Sequence, residues 1–272
     1  MKKIAILPTL LTLANGVSGF AAIAYASKIG PHSSAWDIDY YFILSGCLIL
    51  AAMVFDALDG YAARLSKSAS EFGGQLDSLC DAISFGAAPG FLLLRLCMDW
   101  RERLIGQAVA MIAALYVVCA VLRLARFNME NTPEPSGHKR FKGLPSPAAA
   151  GCIVSMAIFR STPSNNIHAE TLAAVVRIWA PVGTLIAALL MVSRVPYPHI
   201  TKQILGRRRP FGVVVQVVLA LFTVALVPSL ACLLLFWGYA LSGLFRYLLY
   251  RSLRSKSSVT DLEPNKGSGI HH

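Results

Sequence analysis

Charge is scarce in this chain, and negative charge is scarcest. Only 14% of the 272 residues are Asp, Glu, Lys or Arg, and 14 acids stand against 25 lysines and arginines. Soluble domains carry about 25% charged residues, so a water-exposed surface of ordinary composition is excluded. With 56% hydrophobic residues, the composition fits a polytopic membrane protein. A net charge of +11 would suggest nucleic acid in a soluble chain. In a membrane protein it is met by basic loops beside anionic lipid, and no nucleic-acid partner is expected. Cysteine supplies no framework either. Cys47, Cys80, Cys97, Cys119, Cys152 and Cys232 are scattered through apolar segments without paired or metal-like spacing. They read as small packing or lipid-facing residues.

Internal repeats are absent, as is any aqueous stretch long enough to fold alone. The polar segment 257–272 is expected to be a disordered tail, leaving 1–256 as one integral-membrane catalytic domain. Its closing Gly-Ser-Gly-Ile-His-His reads as an added remnant, so the two histidines carry no metal argument.

What the chain has in abundance is apolar runs of membrane-spanning length. Eight are expected, near 6–27, 40–63, 77–97, 105–127, 145–161, 172–193, 211–228 and 230–250. The fifth is short, and Pro228 alone separates the last two, so seven spans is the alternative. The expected fold is therefore an all-α, polytopic transmembrane helical bundle. The N-terminus has the outline of a signal peptide, but Pro8, Thr9, Thr12, Asn15 and Gly19 recur at helical steps along one face. Small and polar residues in such a stripe suit a helix inside a bundle. Placing both termini in the cytoplasm puts 19 of the 25 lysines and arginines on the inside, the bias that the positive-inside rule requires. The expected location is the inner, or cytoplasmic, membrane, with membrane lipid as a partner.

The acids are concentrated where they are least expected. Asp56, Asp59, Asp77 and Asp81 lie with Gly60, Arg64 and Gly73 between one apolar run (41–55) and the next (82–94). Charge near the middle of a bilayer costs at least about 2.5–3.5 kcal/mol per residue on insertion scales. Asp56 and Asp59 are three apart, Asp77 and Asp81 four apart, so each pair shares one helix face. Folding the two helices back on each other at 65–72 makes the pairs converge. Two Asp at helical spacing are ordinarily a solvated face. That reading does not cover seven such residues flush against two membrane-length runs. Hard divalent cations, Mg²⁺ or Mn²⁺, would relieve the repulsion between crowded carboxylates. Gly60 and Gly73 remove side chains where a phosphate ligand approaches the backbone, and Arg64 offers it a planar fork.

The pattern Asp56-x2-Asp59-Gly60-x2-Ala63-Arg64-x8-Gly73-x3-Asp77-x3-Asp81 resembles the signature of the CDP-alcohol phosphatidyltransferase family, position for position. The resemblance implies two metal ions on Asp56, Asp59, Asp77 and Asp81, with Asp81 also the general base. It places Thr12, Gly60, Ala63, Arg64 and Gly73 around CDP-diacylglycerol, and it implies a homodimer. Thr9 stands where the family usually has Asn.

Two further stretches, Arg123-Leu124-Ala125-Arg126-Phe127-Asn128 and Phe141-Lys142-Gly143-Leu144-Pro145-Ser146-Pro147, resemble the phosphatidylserine synthase branch of that family. Arg194-Val195-Pro196-Tyr197-Pro198 does too. The branch implies transfer of the phosphatidyl group to L-serine. A zwitterionic acceptor needs a cation for its carboxylate, and Arg123 and Arg126 share a helix face after an apolar span. At least one is expected to hold the serine carboxylate, with help from Ser146; the alternative is that both anchor the helix to lipid phosphate. Lys139, Arg140 and Lys142 read as a positive-inside loop, and Arg207-Arg208-Arg209 as a headgroup patch. Two rival functions stand beside this one. The acceptor could be glycerol 3-phosphate or an inositol phosphate, or the chain could be a cation transporter, which would call for inverted repeats and broken helices.

Overall fold

A computed structural model of the chain describes residues 6–65, 71–98, 103–130, 143–161, 169–193, 195 and 228–260. Among these the architecture is entirely helical. In chain order the elements are α1 (Ile6–Ala26), α2 (Ala35–Leu65), α3 (Glu71–Asp81), a π-helical turn (Ala82–Ala87), α4 (Ala88–Leu96), α5 (Arg103–Glu130), α6 (Ser146–Arg160), α7 (Ala169–Val192) and α8 (Pro228–Thr260). α3, the π-turn and α4 run on as one rod, Glu71–Leu96.

Six of these rods are long and apolar enough to cross a membrane, so the chain is a multi-pass helical membrane protein. α6, with 15 residues, is only about 22 Å long at 1.5 Å per residue. Pro228, expected as the break between the last two spans, is the first residue of α8; a proline at the first helical position gives up no intrahelical bond. α8 also continues to Thr260, so the first residues of the expected tail are helical. Residues 211–227 of the expected seventh span lie outside the described residues. So do 139–142, Arg194, 196–198, the Arg207-Arg208-Arg209 patch and the tail beyond 260.

α2 explains how acids come to stand at one end of the bundle. It begins with a cap in which the Asp37 amide donates to Ser34 Oγ (3.1 Å) and that hydroxyl donates to Asp37 Oδ2 (2.6 Å). Its 31 residues make a rod of about 46 Å, against a hydrocarbon thickness of about 30 Å. Asp56 and Asp59 come some 30 Å or more along it, counting about 1.5 Å per residue. The other end carries an aromatic belt typical of a membrane interface. Trp36 stacks on Tyr40 with centroids 5.9 Å apart, and the Lys28 ammonium sits over the Tyr25 and Tyr41 rings at 4.8 and 5.6 Å. Arg160 joins this end, 3.5 Å from Asp39 and over the Phe42 ring.

α1 lies against both α2 and the α3 rod, and it does so through small residues. A Cβ on Gly16 would come within 2.9 Å of Cys80 Sγ, and one on Gly19 would run into Ser84 at its side chain and Cα. Close backbone approach of this kind is the usual packing mode inside membranes. The entry to α6 is fixed differently. Gly143 has φ +95, and a Cβ there would collide with the Met191 carbonyl. Its amide donates to Val195 O (2.8 Å) and that of Leu144 to Leu190 O (2.9 Å), tying the start of α6 to the end of α7. The buried core runs through Phe42, Phe85, Leu92, Tyr116, Ile153 and Met191.

Candidate active site

α2 and α3 bring three carboxylates together as the sequence spacing required. Oxygens of Asp56, Asp59 and Asp77 all lie within 4.8 Å of one another. Asp59 is buried, and Asp56 and Asp77 are half-buried. Asp59 Oδ2 and Asp77 Oδ1 are buried without a hydrogen-bond partner. Buried polar atoms are rarely left so unless a water or an ion completes them. An all-oxygen donor set with two orphaned atoms is what a hard divalent cation takes, so these residues fit the implied metal.

Asp81, one turn beyond Asp77, stands outside that trio but within electrostatic range of Asp56, Asp77 and Asp59. It is buried, and its Oδ1 accepts a 2.9 Å hydrogen bond from Asn15 Nδ2. Asn15 is itself wholly buried on α1. Its backbone carbonyl accepts from Ser84 Oγ at 2.9 Å. Directly after Asp81 the helix widens into the π-turn, a local form that occurs frequently at functional sites. The Phe85 carbonyl in that turn accepts from the hydroxyl of Tyr116 on α5, at 2.9 Å and fully buried.

The remaining expected residues fall around this centre to differing degrees. Thr12 is buried on α1; its hydroxyl is bonded to Pro8 O (3.0 Å) and borders the Asp59 carboxylate, which the Gly60 amide also faces. A Cβ on Gly60 would meet nothing within 4 Å, so open space lies beside the acids. Ala63 and Arg64 occupy the last turns of α2, and Gly73 the first turn of α3.

Arg123 and Arg126 are half-buried on the last turns of α5. That end of α5 is joined to α3 by Ser78 and Asn128, whose side chains exchange hydrogen bonds of 2.8 and 3.1 Å. The arginines therefore share the acids' end of the bundle. Tyr239 of α8 lies close enough to Arg123 to feel its charge. Ser146 is buried at the first position of α6.

Asn15, Ser84 and Tyr116 were not among the expected site residues. Asn15 had one signal, its place in the polar and small stripe of α1. Ser84 and Tyr116 had none, since each reads as an ordinary residue of an apolar span.

This constellation has known counterparts. The family model of CDP-alcohol phosphatidyltransferases matches residues 5–186. The chain belongs to that family, and its members are transferases. It is 32% identical over 89% of its length to a CDP-diacylglycerol–serine O-phosphatidyltransferase of Helicobacter pylori, covering 90% of that protein. A protein of the same name from Methanocaldococcus jannaschii is 31% identical over 91% of this chain and 97% of its own. An archaetidylserine synthase of Methanothermobacter thermautotrophicus is 33% identical over 71% of this chain and 70% of its own.

Proposed function

We propose that the chain transfers the phosphatidyl group of CDP-diacylglycerol to the hydroxyl of L-serine, giving phosphatidylserine and CMP. The observation that carries this reading is the meeting of Asp56, Asp59 and Asp77 beside Asp81 at one end of a membrane bundle. Likeness to serine-using relatives along nine tenths of the chain supports serine as the acceptor.

Asp56, Asp59 and Asp77, with Asp81 at their edge, would hold Mg²⁺ or Mn²⁺, two ions by family resemblance. When bound, such ions supply positive charge to pyrophosphate oxygens and to the departing CMP. Gly60 leaves room for the pyrophosphate beside the acids, and Gly73, Thr12, Ala63 and Arg64 complete the donor site. Asp81 takes the proton from the serine hydroxyl as its oxygen bonds to the diacylglycerol-linked phosphorus. The bond from that phosphorus to the bridging oxygen breaks, and CMP leaves with the oxygen. An alkanol is too weak an acid to ionise first, so proton transfer accompanies bond formation. Arg123 or Arg126 fixes the serine carboxylate by a two-pronged contact, with Ser146 nearby.

Residues 1–256 form the catalytic domain, the site faces the cytoplasm in the inner membrane, and the working unit is a homodimer by the same resemblance. Purified protein given CDP-diacylglycerol, a divalent cation and each acceptor in turn tests the reading. Serine is expected to release CMP far faster than glycerol 3-phosphate or an inositol phosphate. Preference for either phosphate ester would replace serine, and no CMP with any acceptor would refute the transferase.

A further inference from the structure

The bond between Asn15 and Asp81 joins residues 66 positions apart, and both partners are buried. Against an ionised carboxylate only the amide end of the Asn side chain can donate, which fixes its orientation. The other end, Oδ1, is buried with no hydrogen-bond partner. Leaving a buried acceptor unmade is destabilising, so a side chain selected only to fill this space would be apolar. Asn15 is also held from behind. Ser84 bonds its backbone carbonyl, and Gly16 and Gly19 seat α1 directly on Cys80 and Ser84. The far side of Asp81 is held as well, because the π-turn that follows it is tied to Tyr116 on α5.

We propose that Asn15 is a positioning residue for Asp81: it engages Oδ1 and so presents Oδ2 to the acceptor hydroxyl. This inference rests on Asp81 being the general base. Asn15 touches neither substrate in this account and acts only through the carboxylate it orients. Partners that orient the ligands of a metal site are typically worth about 10–100-fold in metal affinity or activity, and a partner of the base at its edge is expected to matter on the same scale.

The test compares Asn15→Leu, which keeps the shape and loses the donor, with Asn15→Ser, which loses volume and keeps one. Full-length proteins are purified and assayed for kcat, for KM toward serine and CDP-diacylglycerol, and for Mn²⁺ affinity by direct titration. Asp81→Asn is run alongside. Asn15→Leu is expected to lose about 10–100-fold in kcat, with both KM values and Mn²⁺ affinity close to those of wild type. Asn15→Ser is expected to keep more activity than Asn15→Leu.

The reverse order would make Asn15 a packing residue and overturn the proposal. So would an unchanged kcat in Asn15→Leu, or a loss confined to KM or to Mn²⁺ affinity. Should Asn15→Leu fail to fold, Asn15→Ala replaces it, with the same expected deficit relative to Asn15→Ser. The two levels fail separately. Normal turnover by Asp81→Asn removes the base assignment itself, whereas an inactive Asp81→Asn beside a fully active Asn15→Leu removes only the role of Asn15.

Discussion

Asp77 and Asp81 sit one helical turn apart, yet their surroundings differ. Asp77 shares a mutual 4.8 Å neighbourhood with Asp56 and Asp59 and keeps an unpartnered oxygen, whereas Asp81 is tied to Asn15. Asp77→Asn is therefore expected to raise the Mn²⁺ concentration needed for half-maximal activity, with part of the lost rate returning as Mn²⁺ is added. Asp81→Asn is expected to lower kcat by about 10²–10⁴-fold, the usual value of a general base, while still binding CDP-diacylglycerol. Excess Mn²⁺ should not restore it. Titrating the metal against turnover and against lipid-nucleotide binding for both variants checks the separation; identical behaviour would merge the roles. Arg123 and Arg126 give a second contrast. Lysine keeps the charge but not the fork, so Arg→Lys at the critical position should raise the KM for serine far more than that for CDP-diacylglycerol. An unchanged serine KM in both variants would leave them as lipid anchors.

At the scale of the element, the π-turn and the entry to α6 are where local geometry departs from plain helix. Removing the Tyr116 hydroxyl leaves the Phe85 carbonyl buried without its partner. Tyr116→Phe is expected to lower stability by about 1–3 kcal/mol, read as a fall in Tm on thermal unfolding in detergent, with a drop in kcat because the turn directly follows Asp81. Gly143→Ala faces both a positive φ and the Met191 carbonyl, and should cost more than about 1 kcal/mol. Its effect should fall on stability rather than on the serine KM.

This separates what the sequence could reveal from what it could not. The Asp pairs were legible because helical spacing alone puts them on one face, and a short connection makes two helices meet. Gly143 was legible only as part of a family-like phrase, while its actual work is a backbone turn tying α6 to α7. The π-turn was not legible, since Ala82-Ile83-Ser84-Phe85-Gly86-Ala87 runs into the apolar α4 with nothing in the sequence to mark it. Asn15 could be placed on a polar stripe, but a partner 66 residues away depends on tertiary packing.

For the whole molecule, the aromatic and lysine belt at one end of α1 and α2 and the acids at the other give the bundle a polarity along the membrane normal. In the orientation proposed from the bias of lysine and arginine, the acidic end faces the cytoplasm. Single cysteines placed at Tyr61 and at Trp36, both exposed, should be labelled from opposite sides of the membrane by an impermeant reagent, Tyr61 from the cytoplasmic side. Labelling of both from one side would break the orientation and the span assignment with it.

The central claim is that these acids serve a metal-dependent transfer to serine, and CMP release measures it most directly. With purified protein, CDP-diacylglycerol and serine, the account predicts CMP and phosphatidylserine in equal amounts. Both should stop with EDTA, return with Mg²⁺ or Mn²⁺, and form about 10²–10⁴-fold more slowly in Asp81→Asn. Full activity in EDTA, or CMP formed without phosphatidylserine, would contradict it.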